Sequence, residues 1–217
     1  MSEISLQVLT KALRLHPAVP GLWIYSAAWE FEHNGDIAAA RALMQRGLRM
    51  CPNSEKLWLE YFRMELVYTE KMRERLLNHL MEKRTLNVKE NGDNEEHDDD
   101  NILRLQDDSK ELDDENMSVL TVEETQMEIS TVDELAYKLS CTVYRNAISA
   151  IPTNLSFRKS FMSLLQKASF SQKSALQNEV LDSLKKDFPM DAECWDWQAR
   201  HQFETTGEKD EAIKVRE

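Results

Sequence analysis

The carboxylates that could work as a general acid and base fall in two short runs, Glu30 and Glu32 in WEFEHNG, and Glu60 and Glu65 in LEYFRMEL. Glu30 and Glu65, however, each stand seven residues after a tryptophan. Recurrence in one frame fits a solvated or repeat-stabilising carboxylate better than a catalytic one. His16, His33, His79, His97 and His201 are scattered, and none shares a short motif with a nucleophile. No phosphate-binding glycine loop, GxSxG or HExxH is present. The aspartate runs at 98–100, 107–108 and 113–114 lack the glycine and the twelfth-position ligand of a calcium loop. They read as a solvated spacer, or as a docking tail for basic partners. Cys51, Cys141 and Cys194 form no CxxC pair and no Cys/His cluster. No catalytic residue, metal or cofactor is expected.

The chemistry that remains is electrostatic. KMRERLLNHLMEKR (71–84) is the most basic helical stretch, with Lys71, Arg73, Arg75, Lys83 and Arg84. These are the candidates for contact with RNA phosphate or with a partner. A merely solvated helix face is the competing reading. Thr131 and Glu134 have capping-box spacing, which is preferred over an acidic-directed phosphorylation site at Ser130–Thr131.

Those residues must be positioned by helices. Only 5 glycines and 5 prolines occur, where average usage gives about fifteen and eleven, so long helices are favoured over a turn-rich β fold. Apolar residues recur at helical spacing in 4–15, ending at His16–Pro17. A second run, from Leu22 to Phe31, stops at Asn34–Gly35. Asp36 can cap a third helix that ends before Pro52. LRLHP at 13–17 returns as LRMCP at 48–52, and six residues after each proline stands a tryptophan, Trp23 and Trp58. Trp195 stands six after Pro189, and Gly207 follows Trp195 at the distance at which Gly35 follows Trp23.

Such spacing predicts helical hairpins of 34–37 residues stacked as an α-solenoid, all-α. The tryptophan is then a packing position between neighbouring hairpins, in preference to a platform for bases or peptides. After Trp58, a separate partner helix is expected near 70–84. Residues 85–130 are polar and acidic and are expected to be unstructured. From 90 to 134 eighteen acids face only Arg104 and Lys110, a net of −16 within a chain of −12. The remainder is therefore close to neutral, and the acidity says little about what the folded parts bind. Helical periodicity resumes at 132–151, 154–168 and 172–187. The expected domains are hairpins over 1–84, an insertion over 85–130, and hairpins over 131–217. The chain opens on the second helix of a pair and stops inside another, as a piece of a longer array would. No 18-residue apolar run and no signal-peptide pattern occur, and three isolated thiols fit a reducing compartment.

Trp58, Tyr61 and Glu65, and less fully Trp23 and Glu30, with the closing proline, resemble the half-a-tetratricopeptide (HAT) repeat of RNA-processing factors. Gln198 and Gln202 depart from that pattern after Trp195. KLWLEYFRMELVYTEKMRER (56–75), ELAYKLSCTVYRNAISAI (134–151) and CWDWQARHQ (194–202) together resemble the U3 small nucleolar RNA-associated protein 6 family, without its amino-terminal region. The resemblance implies a non-catalytic nucleolar scaffold of the small-subunit processome. Its partners would be other processome subunits and, indirectly, the U3 snoRNA and pre-rRNA particle; no membrane or small-molecule substrate is implied. The framework residues on this reading are Trp23, Glu30, Gly35, Pro52, Trp58, Tyr61, Glu65, Pro189, Trp195 and Gly207. An adaptor in pre-mRNA splicing or 3′-end processing is the alternative.

Overall fold

The structure is a computed structural model that describes residues 3–92 and 113–202, with side chains placed for 7–79, 81–82 and 126–202. All regular elements among the described residues are helical: α1 (Glu3–Leu15), α2 (Pro20–Trp29), α3 (Ile37–Met50), α4 (Glu55–Gly92), α5 (Asp113–Ala150), α6 (Leu155–Lys167), α7 (Lys173–Asp187) and α8 (192–202). Helices α2 and α3, α4 and α5, and α6 and α7 pack as successive hairpins. Across hairpins, α2 packs on α4, α4 on α6, and α5 on α7.

Local chemistry sets the boundaries. Pro20 opens α2 at the first turn, where its missing N–H is not needed. The helix then widens into a π turn at Glu30–Asn34 and stops on Gly35, whose φ of 67° lies in the left-handed region that glycine enters without a Cβ clash. The Asp36 carboxylate accepts from the Ala39 N–H and starts α3. Asn154 does the same for α6 through the Phe157 N–H. Each long helix before a proline closes alike: the N–H of His16, Cys51, Ile151 or Phe188 donates to the carbonyl four residues back.

The second hairpin departs from expectation. No separate helix runs over 70–84; α4 continues unbroken through it to Gly92. Its hairpin partner is α5, which begins at Asp113. The segment 85–130 is accordingly not unstructured throughout, since 85–92 and 113–130 are helical. Residues 93–112 lie outside the described ones. Composition misled here because a pair of helices laid along each other can share a narrow apolar seam and leave every other position polar. Thr131 caps nothing: it lies inside α5, its hydroxyl donates to the Glu128 carbonyl, and Glu134 pairs with Lys138.

Thus the insertion sits inside a hairpin rather than between hairpins. The prolines that follow helix ends, Pro17, Pro52, Pro152 and Pro189, are 35, 100 and 37 residues apart, and the long interval is the one that holds α4 and α5. By the frame of the first hairpin, the turn would fall at Glu70 and the return helix would begin near Tyr137. The described residues beyond form an antiparallel helical arm, which on the α4 side runs roughly 33 Å from Glu70 to Gly92 at about 1.5 Å per residue. Replacing residues 83–125 with a Gly-Asn-Gly turn should lower helical circular dichroism and leave the thermal midpoint nearly unchanged. The buried residues at the arm's base, Thr69, Ile129 and Asp133, all remain. A large fall in the midpoint would mean that the outer arm packs on the body.

The core is apolar and continuous across hairpins. Phe161 joins the second and third, meeting Phe62 at 4.9 Å, Phe157 at 5.0 Å and Tyr144 at 5.2 Å, all edge to face. Gly47 lets α3 close on α2, because a Cβ there would lie 2.8 Å from both Cβ and Cγ of Trp23. Gly47→Ala gains helix propensity of about 1 kcal/mol. Because it strikes the rigid root of the indole, a net loss of about 1–3 kcal/mol is expected in urea melts. A stability gain would show that Trp23 has room to move.

Candidate functional site

Trp23 and Trp58 stand at equivalent places in the first turn of α2 and α4, and both are buried. The indole Nε1 of Trp23 donates to the Pro17 carbonyl at 2.8 Å, and that of Trp58 to the Pro52 carbonyl at 2.9 Å. Trp195 makes the same bond to Pro189 at 2.9 Å, although its ring is half exposed. The clasp has a double purpose. It satisfies a carbonyl in the turn two residues past the preceding helix, and it lets an indole be buried without an orphaned N–H.

The third hairpin carries the same clasp with a different residue. Arg158 stands six after Pro152 and donates from Nη2 to its carbonyl at 2.9 Å. This guanidinium is 1% exposed, gives a second bond to the Ser183 carbonyl at 3.1 Å, and pairs with Asp187 at 2.6 Å. It also lies over the Phe188 ring. Searching for aromatic residues overlooks it; counting six from Pro152 finds it.

Seven residues after the tryptophan the two glutamates are buried, Glu30 at 8% and Glu65 at 2% exposure. Glu65 is gripped by Arg41 of the preceding hairpin through two parallel bonds of 2.8 Å. The bond to Glu65 is the main reason the Arg41 guanidinium is held above its ordinary pKa. Arg41 also stacks over Tyr68. The Tyr61 hydroxyl takes a bond from Gln45, and burial raises its pKa. Glu30 accepts from Asn34 at 2.6 Å. A carboxylate locked in a bidentate pair is a brace between hairpins, with both oxygens taken up by Arg41. Glu60 pairs with Arg63 rather than facing Glu65 as an acid–base partner.

The basic stretch of α4 is only partly a free surface. The Lys71 ammonium sits 4.4 Å over the Phe31 ring of the π turn. Arg73 donates to the Ser169 carbonyl at 2.7 Å, while Asp133 of α5 accepts from the Ser171 N–H at 3.0 Å. Together they tie the base of the arm to the loop between α6 and α7. Arg75 is exposed, and the side chains of Lys83 and Arg84 lie outside the described ones, as does Gly207. Among the described residues, no group of three His, Cys, Asp or Glu is placed to hold a metal ion, and no helix is long and apolar enough to cross a membrane. Cys141 is buried, and burial raises its pKa and keeps the thiol protonated.

Serial hairpins clasped at prolines and braced by buried ion pairs define an all-α protein whose repeating features join one hairpin to the next. Over 205 residues the chain is 31% identical to the human U3 small nucleolar RNA-associated protein 6 homolog, covering 94% of this chain and 27% of that protein. The fission-yeast U3 small nucleolar RNA-associated protein 6 is 36% identical over 84 residues, 38% of this chain and 17% of that one. The chain belongs to the U3 small nucleolar RNA-associated protein 6 family, and it spans about a quarter of the length of the human and mouse relatives it matches. A shorter match, 42% over 60 residues, links 27% of the chain to 6% of human Pre-mRNA-processing factor 6. No protein-family model matches.

Proposed function

We propose that this chain is a non-catalytic scaffold in ribosome biogenesis. It would act in the nucleolus, holding small-subunit processome proteins on the U3 snoRNA and pre-rRNA particle during 18S maturation. The observation that carries the reading is the recurring clasp, which passes from Pro17–Trp23 to Pro52–Trp58, Pro152–Arg158 and Pro189–Trp195 within a chain of this family. A joint repeated at each hairpin builds an extended surface in the manner of an α-solenoid of HAT or tetratricopeptide-like units. Partner contacts are then spread over many residues. On this reading the ten framework positions maintain the stack, the arm of α4 and α5 projects from the second unit, and Arg75, Lys83 and Arg84 are its cationic contacts. RNA is reached mainly through protein partners.

Depleting the protein should accumulate unprocessed precursors of the small-subunit RNA on blots, with large-subunit RNA comparatively spared. The match to Pre-mRNA-processing factor 6 favours one rival, an adaptor in splicing or 3′-end processing. Normal small-subunit precursors together with retained introns would decide for that rival.

A further inference from the structure

Two basic positions repeat in the proline frame of the first hairpins. Lys11 and Arg46 stand six residues before Pro17 and Pro52, and Arg14 and Arg49 stand three before. All four are exposed, and among the described residues none is ion-paired. Helix α3 contains no acid, and the only acid in α1 is Glu3 at its start. The equivalent positions on later helices are Asn146 and Ser149, then Ser183 and Lys186, so the charge is concentrated on α1 and α3.

Two of these cations, Arg14 and Arg46, rim a cleft between α1 and α3 of about 480 Å³, whose walls include Leu13, Leu43 and Met50. A further 260 Å³ continues past Leu13 and Leu43 to the buried Glu30 carboxylate, which closes the far end. The apolar floor and the cationic rim make different demands on an occupant. A phosphodiester chain answers the arginines but has nothing aliphatic to place in the cleft. Base stacking is closed off as well, because Trp23 is 3% exposed and its N–H is engaged by Pro17. An extended peptide with a Leu or Ile between carboxylates answers both demands.

We propose that the α1–α3 cleft is a docking site for an acidic segment of a partner protein. An aliphatic side chain would sit against Leu13 and Leu43, and flanking carboxylates would pair with Arg14 and Arg46. The site deepens the scaffold reading by giving one partner's chemistry, and purified protein tests it apart from RNA processing. The chain's own sequence DDDNILRLQDD (98–108) has the required pattern and serves as the probe.

Labelled DDDNILRLQDD peptide is titrated with the full chain and followed by fluorescence anisotropy. Saturable binding is expected, weakened about tenfold or more by Arg14→Glu with Arg46→Glu, and by replacing the peptide's Ile and Leu residues with Asn. Lys186→Glu, at an exposed position on α7, should leave it unchanged, and circular dichroism and thermal melts verify that each variant is folded. No binding at chain concentrations up to about 0.5 mM overturns the proposal. So does equal binding of the Asn-substituted peptide, which would mean charge attraction alone. Tight, Arg46-dependent binding of a uridine 20-mer that the peptide cannot displace would overturn it in favour of nucleic acid.

Discussion

Trp58→Ala is expected to lower the free energy of unfolding by about 3–5 kcal/mol in urea denaturation. Three losses combine. The indole, 8% exposed and part of the continuous core, leaves a void where it was packed. The Pro52 carbonyl loses its donor. A joint between two hairpins is cut, so cooperativity falls along with the midpoint. Trp58→Phe separates these effects: it keeps most of the packing and removes the hydrogen bond, and should cost about 1–2 kcal/mol. If Ala and Phe prove equally mild, below about 1 kcal/mol, the tryptophan is not a packing element.

Arg158 should behave in the opposite way under two substitutions. Arg158→Ala removes one member of a buried ion pair, takes the donor from the Pro152 carbonyl and the added bond from the Ser183 carbonyl, at a cost of about 3–5 kcal/mol. The lower end is expected, since Asp187 is 38% exposed and can hydrate once alone. Arg158→Trp should stay within about 1 kcal/mol of the parent, because it restores the donor to Pro152 and takes a charge out of the interior. The Nε of Arg158 already lacks a partner, so the guanidinium is an incompletely satisfied solution to the position. Denaturation curves decide the matter: an Arg158→Trp loss as large as that of Arg158→Ala would show that the third hairpin is built differently from the others.

Much of this was legible from spacing alone. The prolines, the tryptophans and the Asn34–Gly35–Asp36 turn mark chain reversals by local chemistry, and local chemistry is what a sequence displays. Two things were hidden, each for a physical reason. Arg158 replaces an indole by a donor of another class, so a frame defined by aromaticity skips it although geometry does not. The continuity of α4 was hidden because nothing in residues 66–75 changes composition where the first hairpin would have turned; what differs is only the absence of a glycine twelve residues after Trp58, and absences are easily passed over. The cationic stretch of α4 was read as one surface, yet Lys71 and Arg73 are engaged by Phe31 and Ser169, and among its described side chains Arg75 is the exposed cation without such a contact. A charge count does not reveal which charges are already used.

The arm leaves and re-enters the body within one hairpin, and this places a rule of phase on its length. Each residue added to α4 alone turns the rest of that helix by about 100° relative to α5, so the seam between them would face solvent within one step. Additions that enter both helices together, about seven residues at a time, return both faces to register. The outer arm can therefore lengthen or shorten in paired steps while Trp58, Phe62 and the braces below it stay where they are. A chain of hairpins built this way can change its reach without changing its joints.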